Sequence, residues 1–141
     1  MPRPATILCV DDNWTVLIRR KMLLENAGYH VLEASTESEA VRLFVSHSVD
    51  AVILDYQMPA ISGDIVAAEM KRLRAAVPII LLSAYGPLPK HKLKSVDRFL
   101  SKSQPPRVLL ATLHEVLHGG TKMFFARWLD QWKGRNQGVR P

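Results

Sequence analysis

A doubly wound parallel α/β sheet of five strands, with five helices and a short C-terminal helical extension, is the architecture this sequence predicts. Three observations carry it. Strand-like and helix-like segments alternate five times, the pattern of a parallel sheet with helices on both faces. Several strand-like runs are apolar without interruption, as strands buried on both faces must be. The runs stop at polar residues, which an open sheet collects along its carboxyl edge. Composition permits such a core: 141 residues, 48% hydrophobic and 23% charged, suffice for one domain without disulfides or metal.

The elements follow in order. Thr6 to Val10 is a buried strand ending at Asp11 and Asp12. Asn13 can cap the next helix, which has Val16, Leu17, Met22, Leu23 and Leu24 among its apolar positions and ends at Gly28, a residue suited to the left-handed C-terminal position. Tyr29 to Ala34 is the second strand. Glu37 to Val45 is the second helix, with Ala40, Val41, Phe44 and Val45 on one face. Ala51 to Leu54 is a third strand that ends at Asp55. Ser62, Gly63 and Asp64 open a third helix running to about Ala76. Pro78 to Leu82 is the fourth strand and ends at Ser83. Pro87 and Pro89 lack the N–H that an interior helical residue supplies, so the fourth helix is expected to be absent or a short turn. Arg98 to Leu100 is the fifth strand, ahead of Lys102, and Pro106 starts the last helix of the domain.

Asp11, Asp12, Asp55, Ser83 and Lys102 therefore share one edge of the sheet. Clustered carboxylates raise each other's proton affinity, and a hard divalent cation relieves the repulsion. Oxygen ligands of this kind suit Mg2+. A lysine can pair with a phosphoryl group and a serine hydroxyl can donate to one. Together these groups equip the edge to move a phosphoryl group onto an aspartate.

These residues give the sequence its resemblance to a known family, the receiver domain of bacterial two-component response regulators, of the single-domain type. The matching pieces are Asp11-Asp12, the run Asp55-Tyr56-Gln57-Met58-Pro59-Ala60-Ile61-Ser62-Gly63, Ser83-Ala84 and Phe99-Leu100-Ser101-Lys102. The resemblance covers roughly residues 5–118 and implies a flavodoxin-like receiver fold. It implies that Asp55 is the phosphoacceptor, and that Asp11, Asp12, Asp55 and the backbone carbonyl of Gln57 bind Mg2+. Ser83, Ala84, Phe99 and Lys102 would bind the phosphoryl group or switch in response to it. The expected activity is that of a phosphoacceptor switch, not an enzyme in the ordinary sense, with Mg2+-dependent self-phosphorylation and autodephosphorylation. Its donor would be a sensor histidine kinase or phosphotransfer protein, its location cytoplasmic, and its output protein unknown. A degenerate receiver used as a constitutive interaction module is the alternative. A small-molecule phosphatase would need a cap domain, and no insertion is large enough for one.

Three features depart from the family pattern. Ser103 follows Lys102 where the family usually has proline after a cis peptide, so either that strain is carried or the Lys102 backbone is altered. The segment from Ser83 to Lys102 is short. The 23 residues after His118 are too few for a helix-turn-helix module, so no direct DNA binding is expected.

The chain is thus expected to divide into a receiver domain, 1–118, and an amphipathic helical extension, 119–141. In the extension Phe125, Trp128, Leu129 and Trp132 fall on one helical stripe. Such a stripe needs cover from its own domain, a homodimer contact or a partner groove; an anionic membrane surface is a further option. Charge is uneven: residues 1–86 carry 8 Lys/Arg against 10 Asp/Glu, and residues 87–141 carry 11 against 3. A basic half fits nucleic acid, anionic lipid, an acidic partner or a plain solvated surface. Arg19-Arg20-Lys21 reads as a solvated face, with kinase contact the other reading. His114 and His118 read as solvated helix histidines with no third metal ligand. Trp14 reads equally as a shield over the acidic pair or as a simple aromatic lid. Cys9 reads as packing; as the one cysteine it excludes an intrachain disulfide and a cysteine-based zinc site. No apolar run is long enough for a transmembrane helix, and the N-terminus lacks a signal-peptide core.

Overall fold

The computed structural model describes residues 3–119. Five parallel strands, β1 (Thr6–Val10), β2 (His30–Ala34), β3 (Ala51–Asp55), β4 (Ile79–Ser83) and β5 (Arg98–Ser101), form one sheet in the order β2-β1-β3-β4-β5. Four α-helices are present among the described residues: α1 (Trp14–Asn26), α2 (Glu37–Ser46), α3 (Gly63–Leu73) and α4 (Pro106–Leu117).

Alternation along the strands sorts the core into two layers. Leu8, Val10, Val52, Leu54 and Leu81 face one side and pack with Phe44 of α2 and Met70 of α3. Ile7, Cys9, Ile53, Ile80, Leu82 and Leu100 face the other, against Leu17 and Leu24 of α1 and Val108 and Leu113 of α4. Strand order reverses direction between β1 and β3, the crevice where doubly wound sheets bind ligands.

The caps explain where helices begin. Asn13 Oδ1 accepts from the Thr15 and Val16 N–H groups, Thr36 Oγ1 from Glu39 N, and Pro106 occupies the first turn of α4. Gly28 ends the α1 turn at φ +97°, as its left-handed assignment required.

Several expectations need correction. A fifth α-helix is not found among the described residues: between β4 and β5 there is one 3₁₀ turn, Lys90–Leu93, after Pro89. That is the short-turn outcome the two prolines imposed. Helix α3 stops at Leu73, short of Ala76, with Arg74 N donating to Met70 O. Val45 and Met22 are exposed, because each helix turns only one stripe of its surface toward the sheet. Phe125, Trp128, Leu129 and Trp132 lie outside the described residues.

Candidate functional site

The sheet edge gathers the acidic residues as the strand order requires. Asp11 follows β1 and is fully buried; Asp55 ends β3 and is 1% exposed; Asp12, beside Asp11, is exposed to solvent. One carboxylate oxygen from each lies within 4.8 Å of the others, the only such cluster of three among the described residues. The register Asp55↔Leu82 and Ser83↔Ser101 brings the ends of β4 and β5 level with β3.

Lys102 completes the cluster from the far side. Its Nζ donates to Asp11 Oδ2 at 3.0 Å and lies 3.0 Å from Asp55 Oδ1. The Lys102–Ser103 peptide is trans, as are all peptides among the described residues. Lys102 N donates to Ser83 O at 2.9 Å, so the lysine is anchored to β4 without the family's proline.

Burial is the largest influence on Asp55 and pushes its carboxyl above the usual range, with the Asp11 charge adding to it. The hydrogen bond and charge of Lys102 and the Gln57 N–H pull it back only in part. Burial works against the Lys102 ammonium, yet its hydrogen bonds to Asp11 and Asp55 outweigh this and raise it overall. The site thus favours a charged Lys102 and disfavours an ionised Asp55.

Ser83 and Ala84 are brought to this edge, and both are engaged. Gln57 Nε2 donates to Ser83 Oγ at 2.9 Å, and Ala84 N donates to Gln57 Oε1 at 3.2 Å. The Gln57 side chain, which sequence reading ignored in favour of its carbonyl, therefore spans β3 and β4. Phe99 is half-buried on the α2–α3 side of β5, in register with Leu81. Tyr56 OH accepts from Lys92 Nζ at 2.7 Å, tying the 3₁₀ turn to the residue after Asp55.

Gly63 explains the last position of the Asp55–Gly63 run. A Cβ there would collide with the Asp55 carbonyl oxygen and lie 2.9 Å from Tyr56 Cα. Only a hydrogen fits where α3 begins against the end of β3.

Arg20 is a correction. Instead of lying on a solvated face, its side chain is 9% exposed and Nη1 lies 3.7 Å from Asp11 Oδ2. Its place between Leu17 and Leu24, three residues after one and four before the other, is the sequence signal that it shares their inward face. His114 and His118 stack on each other with ring centroids 4.1 Å apart and belong to no three-ligand cluster among the described residues. Cys9 is buried, and burial pushes its thiol up to about 12. Trp14 is half exposed at the start of α1.

Comparison with known proteins agrees with this geometry. The family described as "Response regulator receiver domain" matches residues 7–114. The phosphate regulon transcriptional regulatory protein PhoB of Pseudomonas aeruginosa is 36% identical over 118 residues, 79% of this chain and 51% of that protein. The chain thus spans about half the length of that relative, and 30% of the transcriptional regulatory protein GlrR of Escherichia coli, to which it is 29% identical over 91% of its own length. Among solved structures, the response regulator TrrA of Thermotoga maritima in complex with Mg2+ and BeF superposes with a TM-score of 0.76. It is 33% identical, over 80% of this chain and 99% of that one. The same regulator in complex with the histidine kinase ThkA gives a TM-score of 0.75 over 80% of this chain and 98% of that one. Among the described residues, no helix is long and apolar enough to cross a membrane.

Proposed function

Because this chain belongs to the response regulator receiver family, whose domains are phosphoacceptor switches of two-component signalling, we propose that Asp55 is its phosphoacceptor. The observation that carries this is the Lys102 ammonium lying 3.0 Å from both Asp55 and Asp11 at the switch point of the sheet. The donor is a phosphohistidine on a sensor histidine kinase or phosphotransfer protein. That TrrA forms a complex with a histidine kinase supports this choice.

The residues present fit Mg2+: three carboxylate oxygens in close reach are a hard-oxygen donor set. Asp11, Asp12, Asp55 and the Gln57 carbonyl would hold it, and when bound it neutralises charge on the phosphoryl oxygens. An Asp55 oxygen attacks phosphorus. The new O–P bond forms as the P–N bond breaks, and the imidazole nitrogen keeps the electron pair. Lys102 passes its ion pair from Asp55 to the phosphoryl oxygens. The Ser83 hydroxyl and Ala84 N–H turn from Gln57 to the same oxygens, and Phe99 follows inward. Attack of water on the same phosphorus later releases inorganic phosphate. Cytoplasmic location, output through a protein contact without direct DNA binding, and a role for residues 119–141 in homodimer or partner contact belong to the same proposal.

Mass spectrometry after incubation with Mg2+ and a small phosphodonor tests it. The wild type is expected to gain one phosphoryl group and Asp55→Asn none; equal labelling of both would overturn the assignment. The single turn at Lys90–Leu93 where a helix is usual favours a second reading, a degenerate interaction module. In that case neither protein labels.

A further inference from the structure

Arg20 brings a second cation to the acidic site, and its environment is unusual for an arginine. In a helix the side chain leans toward the N-terminus. The N-terminus of α1 lies at the carboxyl edge of β1, so Arg20 is carried back over the sheet toward Asp11. Its charge faces Asp11 Oδ2 at 3.7 Å, the same oxygen that accepts from Lys102 Nζ at 3.0 Å. Asp11 Oδ1 accepts from Asn13 N at 3.0 Å. Both oxygens of this buried carboxylate are therefore engaged before any divalent ion arrives.

The two cations are held differently. Lys102 is hydrogen-bonded to Asp11. Arg20 Nη1 is buried and faces Asp11 at ion-pair distance, without a hydrogen bond to any protein acceptor. A buried donor without an acceptor is costly, and it gains by moving to where water or an acceptor can reach it. Such a place adjoins it: a cavity of about 500 Å³ between α1 and α4, lined by Arg19, Arg20, Leu23, Leu100, Lys102 and Leu109 among others.

We infer that Arg20 is a displaceable internal counter-ion, which neutralises Asp11 while the site is free of metal and swings into the α1–α4 cavity when Mg2+ binds. Arg20 is thus a positioning residue that sets how tightly the site holds a divalent cation, and this rests on the receiver reading above. With Arg20 and Lys102 both in place, three carboxylates face two cations. Removing the Arg20 charge leaves one, and a divalent ion feels that change twice over.

The test is calorimetric titration of the full chain with Mg2+, alongside Asp55 labelling by a small phosphodonor. Arg20→Met and Arg20→Gln are expected to bind Mg2+ about tenfold more tightly than the wild type. Arg20→Lys keeps the charge and is expected to stay within about threefold. The metal-free neutral variants should melt lower than the wild type, and saturating Mg2+ should raise their Tm by more. A purely structural arginine would lower Tm without tightening Mg2+. Unchanged or weaker binding in both neutral variants, with Asp55 still labelled, would overturn the inference and leave the receiver reading intact. Failure of every protein, wild type included, to bind Mg2+ would overturn both.

Discussion

Asp55 shows how one buried carboxylate sets the chemistry and the pH response of the site. Its 1% exposure removes the water that would stabilise the anion, and the Lys102 ammonium restores only part of that loss. A carboxyl raised above its unfolded value binds its proton more tightly in the native state. Its contribution to stability is therefore greatest below the ordinary aspartate range and is lost as pH rises through the raised folded value. Above the raised folded value the ionised carboxylate burdens the fold. Asp55→Asn, measured without Mg2+, is expected to melt at or above the wild-type temperature at pH 7, with the advantage shrinking near pH 4. A lower Tm for Asp55→Asn at pH 7 would mean that the ion pair with Lys102 outweighs the burial cost. Lys102 has the opposite role: its raised value keeps it charged, and the stability it contributes is fully present below the ordinary lysine range and lost only as pH rises through the folded value. The same buried environment makes Cys9 an inert thiol rather than a redox group, since thiolate is the reactive form.

At the scale of elements, the turn between β3 and α3 is the tightest constraint in the site. Gly63 N donates to Tyr56 O at 2.9 Å, and α3 starts so close that a methyl group would meet the Asp55 carbonyl. Gly63→Ala is expected to destabilise the domain by about 1–3 kcal/mol, the range of overpacked cores. Because the backbone that must yield is that of Asp55 itself, phosphodonor labelling should fall as well. Chemical denaturation and labelling of the same sample check both, and full labelling at wild-type stability would contradict the contact. The segment between β4 and β5 is held differently. Asp97 Oδ2 accepts from Ile79 N at 2.7 Å and forms an ion pair with Lys71 Nζ, also at 2.7 Å, and Lys92 reaches Tyr56. Leu88, Leu93 and Val96 still pack on the core beside Phe99. Apolar cover is thus kept on the face that Phe99 shares, although a full helix is lost.

For the whole molecule, both faces of the sheet are closed by the described residues: α1 and α4 cover one, α2, α3 and the 3₁₀ segment the other. A chain cut after Gly119 is therefore expected to unfold in one cooperative transition and to be labelled at Asp55 like the full chain. Loss of cooperative melting in the truncated chain would show that residues 120–141 help to close the core. The order of elements, the buried strands, the Asn13 cap and the edge holding Asp11, Asp12, Asp55, Ser83 and Lys102 were legible from the sequence, because periodicity, capping and strand-end position are local properties of the chain. The collapse of the fourth helix was legible for the same reason, since proline acts on its own residue and its neighbours. What the tertiary structure alone decided depends on residues far apart in sequence. The Lys102–Asp11 contact joins positions 91 residues apart, and the Gln57 bridge to Ser83 and Ala84 crosses two strands. The spacing of Arg20 from Leu17 and Leu24 points it inward, but only the sheet places the Asp11 carboxylate in front of it. Charge and composition are the same at the surface or in the site, and burial against a distant partner decides which one a side chain occupies.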